Sequence, residues 1–131
     1  MKTLVVYYSK TGNTKKAAEA VINELGDCDV SMLTFDEKAN TIGGAVDPSE
    51  YGRVILLSPI WAFALSTPMK LYLNKYGKAI QSYSLIVTYS LFGLRGCVNN
   101  CVRAIGKQPL KAISIKGKCI QAENFDIKPA L

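Results

Sequence analysis

Thr3 to Gly26 reads TLVVYYSKTGNTKKAAEAVINELG, and the change of rhythm inside this stretch decides the fold. Thr3 to Tyr8 is β-branched and aromatic with no helical spacing, which predicts a buried strand. The run stops at a cluster of turn formers, Ser9-Lys10-Thr11-Gly12-Asn13. Beyond it Ala17, Ala18, Val21, Ile22 and Leu25 recur at helical spacing, Lys15, Lys16, Glu19 and Glu24 occupy other faces, and Gly26 ends the segment. A buried strand, a tight turn and an amphipathic helix in this order form the first half of a βαβ unit.

Working outward, Asp29 to Phe35 predicts a second, weaker strand, and the polar, Gly-containing stretch from Asp36 to Gly52 offers no apolar helical face. A helix there is expected to be short or absent. Val54 to Ser58 is a wholly apolar third strand, and its following loop is expected to run to Thr67-Pro68, with Thr67 as N-cap and Pro68 at the first helical position. Met69, Tyr72, Leu73 and Tyr76 then mark a helical stripe, and Tyr83 to Tyr89 is a fourth strand. Cys97, Val98, Cys101, Val102 and Ile105 repeat the helical spacing, and Ala112 to Ile115 is a short fifth strand. Alternating helices and fully apolar strands predict an α/β fold: a parallel sheet covered on both faces. Ligands of such doubly wound sheets sit beyond the carboxyl ends of the strands, so the loops after strands one, three and four are the expected site.

The 131 residues predict one domain over residues 1–131, long enough to bury a core without staples. A formal charge of +6 favours anionic ligands. The lysines are spread along the chain and are not interleaved with aromatics, so nucleic-acid binding is not expected. The chain contains no histidine, which removes Ser-His-Asp and Cys-His catalysis and histidine metal ligation together. Cys28, Cys97, Cys101 and Cys119 form no CxxC pair, and no cleavage-site pattern follows the first apolar run; reduced thiols in the cytoplasm are expected. The longest apolar stretch, Val54 to Leu65, is broken by Ser58 and Pro59 and falls short of the ~20 residues of a membrane helix, so no membrane association is expected.

Ser9, Lys10, Thr11, Gly12, Asn13 and Thr14 stand between a strand and a helix, where free backbone N–H groups and the positive end of the helix dipole converge. Gly12 lets the backbone curl around an anion, and Ser9, Thr11 and Thr14 add hydroxyls. The stretch lacks both the Walker A spacing and the Gly-x-Gly-x-x-Gly fingerprint, which favours a terminal monophosphate over a pyrophosphate.

Ser9, Thr11, Gly12 and Thr14 match the Ser/Thr-x-Thr-Gly-x-Thr pattern after a first strand that resembles the phosphate loop of the flavodoxin family. The resemblance implies a five-stranded parallel sheet in the order 2-1-3-4-5, with flavin mononucleotide (FMN) held non-covalently at the switch point. Ser58-Pro59-Ile60-Trp61-Ala62-Phe63 resembles the Pro-Ile-Trp segment with which flavodoxin-like reductases contact the flavin ring; Pro59, Ile60, Trp61, Ala62 and Phe63 are the residues implied there, with Trp61 as stacking partner. The family's third loop corresponds to Ser90, Leu91, Phe92 and Gly93, where Gly93 and Gly96 permit close backbone approach. On this resemblance the protein is expected to transfer electrons or hydride through bound flavin, with a redox partner protein, NAD(P)H or a quinone-type substrate.

Two departures from the family matter. No acidic residue lies between Tyr83 and Lys107, whereas electron-carrier flavodoxins are strongly acidic, so a higher-potential, two-electron flavin is expected, with Arg95 adding to the effect if it faces the ring. The segment after Ile115 shows no pattern for the family's final helix, which would leave one sheet face uncovered and make a homodimer plausible. An apolar patch of Ala62, Phe63, Ala64, Leu65, Leu91, Phe92 and Leu94 is expected around the flavin.

Other readings compete. Cys97-x5-Arg103 has the spacing of a cysteine-phosphatase loop, but Val98, Cys101, Val102 and Ile105 continue a helical stripe through it, which favours cysteines facing the core over a redox pair. The chief rival is a flavodoxin-shaped binding or regulatory module without flavin.

Overall fold

The computed structural model describes residues 2–90 and 92–131, so Leu91 lies outside the described residues. Five parallel strands form the sheet: β1 (Thr3–Tyr7), β2 (Asp29–Met32), β5 (Arg53–Trp61), β7 (Tyr83–Tyr89) and β8 (Ala112–Lys116), in the order β2-β1-β5-β7-β8. This is the order 2-1-3-4-5 once the strands of the main sheet are counted in sequence. β1 and β7 are buried along almost their whole length, and β5 from Val54 to Ser58, because helices cover both faces.

On one face Leu4, Val6, Val54, Leu56, Leu85 and Val87 meet α2 (Thr67–Tyr76) and α3 (Leu94–Ile105). On the other, Val5, Ile55, Leu57 and Ile86 meet Ala17, Ala18 and Val21 of α1 (Asn13–Leu25). The last segment completes this second face. A five-residue helix, α4 (Gly117–Gln121), and a 3₁₀ turn at Lys128–Ala130 bury Ile120, Ile127 and Ala130 beside α1. So short a helix has little stability of its own. Burying two isoleucines adds roughly 3–6 kcal/mol, which fixes it in place. The Arg53 guanidinium donates to the carbonyls of Ala130 (3.4 Å) and Leu131 (2.8 Å) and holds the segment down. Among the described residues the segment after β8 forms only this short helix and turn, yet the face expected to lie open is covered by them.

Three local features differ from the sequence reading. The second strand stops at Met32, and Phe35 belongs instead to an antiparallel hairpin, β3 (Thr34–Asp36) with β4 (Thr41–Gly43), which stands where a second helix would otherwise cross over. Helix α2 is capped by Ser66, with Thr67 already helical; the Ser66 hydroxyl pairs with Ser58 Oγ at 2.9 Å and leaves the helix end alone. The third strand does not end at Ser58. It runs through Pro59 to Trp61 and turns back into β6 (Ala64–Leu65). Pro59 is tolerated because pairing of β5 with β1 ends at Leu57, which leaves a side where no N–H is needed.

Candidate functional site

The loops after β1, β5 and β7 lie at the same end of the sheet and enclose a cleft of about 460 Å³. Thr11 and Asn13 line it from the first loop, Pro59, Ile60 and Trp61 from the end of β5, and Thr88, Tyr89 and Ser90 from the end of β7. The fourth wall is one the sequence reading missed: Lys116, Gly117, Lys118 and Gln121, where β8 runs into α4. A larger groove of about 540 Å³ lies between α1 and the last segment, but it is lined by Lys16, Glu19, Glu24, Glu123 and Asp126, away from the loops where a doubly wound sheet holds its ligands.

The first loop is built around the start of α1. Gly12 is the N-cap, in a left-handed conformation (φ 99°), and no side chain caps the helix. The first helical bond runs from Lys16 N–H to the Gly12 carbonyl at 3.0 Å, so the N–H groups of Asn13, Thr14 and Lys15 have no partner within the helix. An anion fits such an end, where unpaired donors and the helix dipole act together. Ser9 Oγ accepts from Gly12 N–H at 3.1 Å and stabilises the curl of the loop. The Thr14 hydroxyl is buried against Thr88 Oγ1 at 2.8 Å and ties α1 to the end of β7. Thr11 is exposed.

Trp61 lies on an extended strand, not on a loop. Its ring meets Tyr8 edge-on at 5.7 Å, and Tyr8 meets Phe35 edge-on at 6.4 Å, so three aromatics form a row beside the first loop. Lys10 does not line the cleft. Its ammonium lies 5.6 Å from the Trp61 ring centroid and 3.8 Å from Glu37 Oε1, the single ion pair among the described residues.

The turn between β5 and β6 holds Ala62 and Phe63 at positive φ (51° and 65°), a two-residue hairpin usually made with Asn and Gly. The start of α3 keeps it there. A Cβ on Gly93 would come within 3.0 Å of Phe63 Cα, a Cβ on Gly96 would collide with the Phe63 carbonyl oxygen, and Asn100 Oδ1 accepts from Leu65 N–H at 3.1 Å. Sequence reasoning marked the two glycines but missed Asn100, whose role depends on a contact thirty-five positions away.

Ala62, Phe63 and Phe92 stand exposed on the rim, whereas Leu65 is buried in the core. Phe92 stacks on Tyr89 at 6.4 Å. Together with Ile60, Gly93 and Arg95 they line a second cavity of about 340 Å³ that adjoins the first through Ile60 and Tyr89. No Asp or Glu lines either cavity.

Cys97 and Cys101 face the core from α3, where burial pushes both thiols up to about 12. They stay protonated and are unsuited to nucleophilic chemistry, and all four cysteines are free thiols.

A parallel sheet in this order, with an anion-ready helix start and an aromatic-lined cleft above its switch point, defines a doubly wound α/β ligand-binding protein. The model of the flavodoxin domain family matches residues 4–112, and the chain belongs to that family. No curated protein sequence matches it. Among solved structures it is similar to a flavoprotein from Lactobacillus acidophilus NCFM in complex with FMN, at 19% identity and a TM-score of 0.72, covering 93% of this chain and 97% of that one. A protein structure from Bacteroides eggerthii DSM 20697 is similar at 16% identity and TM-score 0.71, covering 93% and 94%. The Fusobacterium nucleatum flavodoxin bound to flavin mononucleotide is similar at 15% identity and TM-score 0.58, covering 86% and 70%. At these identities the similarity establishes the fold.

Proposed function

We propose that this chain binds FMN in the cleft above β1, β5 and β7 and uses it to transfer electrons or hydride. The observation that carries the reading is the uncapped start of α1 behind Gly12, opening onto the same cleft as Trp61. An unpaired row of N–H donors suits the phosphate, and a flat indole on the opposite wall suits a tricyclic ring. The close approach of Gly93 and Gly96 to the β5–β6 turn keeps that wall in position.

When bound, the flavin supplies the electron chemistry, and the protein's part is to bind it, orient it and set its electrostatic surroundings. Trp61 is braced by Tyr8 and by its strand pairing with Ala64, so it offers a fixed surface. The absence of carboxylates from the lining favours the reduced, more negative flavin and hence two-electron chemistry. The apolar cavity beside Tyr89 and Phe92 gives an NAD(P)H or quinone-type substrate, or a redox partner protein, a path to the ring edge. The exposed Phe63 and Phe92 are the surface on which a second subunit would dock, now that the last segment covers the α1 face. The free thiols fit a reducing, cytoplasmic setting; among the described residues no helix is long and apolar enough to cross a membrane.

A visible absorption titration with FMN tests the reading. Flavin bands that shift on binding, with affinity reduced about tenfold in Trp61→Ala through lost stacking and contact area, are the expected result. Failure to bind FMN at high concentration would leave a flavodoxin-shaped interaction module in its place.

A further inference from the structure

We infer that Lys116 and Lys118 are anion-binding residues of the cleft that serve the phosphate end of the cofactor, so that the chain separates FMN from riboflavin by charge. The inference rests on the flavin reading above and adds a wall to the site that the first three loops do not supply.

The two lysines flank Gly117 at the point where β8 passes into α4. Lys116 is in register with Tyr89, which places the end of β8 beside the end of β7. Gly117 then packs against the start of α1: a Cβ there would lie 3.0 Å from Asn13 Nδ2 and 3.6 Å from the Tyr89 carbonyl oxygen. The backbone between the lysines is therefore seated against the first residue of the helix whose N–H groups are unpaired. Both lysines line the same cleft as Thr11 and Asn13.

Neither lysine is neutralised. Among the described residues the ion pair of Lys10 with Glu37 stands alone, and no carboxylate lines the cleft. Both side chains are exposed, so they act on a ligand through partly screened attraction, which makes their contribution dependent on salt. Lining the cleft beside the start of α1, they meet the same ligand group as the helix start. Riboflavin presents the same ring without the phosphate, and the two lysines give it nothing to prefer.

Dissociation constants for FMN and riboflavin, read from flavin fluorescence at low and high salt, test this with wild type, the double variant Lys116→Met/Lys118→Met, and the control Lys38→Met/Lys70→Met. The control removes the same charge from exposed lysines outside the cleft. We expect wild type to prefer FMN, the preference to shrink with salt, and the cleft variant to lose about tenfold in FMN affinity while riboflavin affinity holds within about twofold. Equal FMN losses in the cleft variant and the control, or equal losses of FMN and riboflavin in the cleft variant, would overturn the assignment while leaving the flavin reading intact. Wild type binding neither flavin would overturn both.

Discussion

Replacing Gly96 with alanine tests whether α3 holds the ring-binding wall in place. Its Cβ would collide with the Phe63 carbonyl oxygen and lie 3.3 Å from the Phe63 carbonyl carbon, both backbone atoms. The turn cannot yield cheaply, because Ala62 and Phe63 already sit at positive φ and Leu65 N–H is tied to Asn100. Overpacking costs about 1–3 kcal/mol, and a collision with backbone oxygen falls in its upper part, about 2–3 kcal/mol, of which alanine recovers up to about 1 kcal/mol in helix propensity. The net loss is then about 1–2 kcal/mol, or roughly 4–8 °C in melting temperature for a chain of this size. Because Trp61 pairs with Ala64 across the same turn, FMN affinity should fall with stability. Asn99→Ala, exposed on the same helix, should leave both unchanged or raise stability by about 0.5 kcal/mol. Thermal melts and flavin titrations of the three proteins decide the matter. If Gly96→Ala melts at or above wild type with unchanged FMN affinity, the start of α3 does not position the turn.

Gly12→Ala separates backbone strain from packing, since its Cβ would meet nothing within 4 Å while φ is 99°. A cost of about 1–2 kcal/mol is expected from conformation alone, and FMN affinity should suffer more than riboflavin affinity because the anion loop is what distorts. The buried thiols make stability sensitive to alkali. Cys97 and Cys101 keep their protons in the folded chain up to about 12, whereas an ordinary thiol releases its proton near 9. Their contribution is therefore complete below pH 9 and is lost as pH rises from 9 toward 12, by up to ~1.4 kcal/mol per pH unit for each thiol. Urea unfolding between pH 8 and 10.5 should show stability level and then falling, and a curve that stays flat would mean that these thiols ionise in the folded state.

The parallel sheet was legible because the central strands are continuous apolar runs, the pattern of strands buried on both faces, whereas its strand order came only from the resemblance of the first loop to the flavodoxin family. The first loop was legible because glycine and hydroxyl residues between a strand and a helix have a local meaning. The β5–β6 hairpin was not. Its turn residues are Ala62 and Phe63, which carry no turn signal, and they are held at positive φ by Gly93, Gly96 and Asn100 from another element. The last segment was equally hidden, because Ile120, Ile127 and Ala130 follow no helical period and are ordered by burial against α1. The contact of the Thr14 hydroxyl with Thr88 was hidden for a related reason: the two residues are seventy-four positions apart and only the fold brings them together.

The charges around the cleft serve two properties that need not move together. By a thermodynamic cycle, a protein raises the flavin potential to the extent that it binds the reduced form more tightly than the oxidised form, about 30 mV for each tenfold ratio in a two-electron couple. The phosphate carries the same charge in both forms, so donors that serve it, the start of α1 with Lys116 and Lys118, strengthen both equally and cancel from the ratio. Groups near the ring do not cancel, because the ring is where charge changes. There the lining offers Arg95 and no carboxylate, beside Tyr89 and Phe92. On the proposed placement of the flavin, affinity and potential are set by different residues, the two lysines in the cleft and Arg95 in the adjoining cavity, and the lysine variants should weaken FMN binding while leaving its potential where it was.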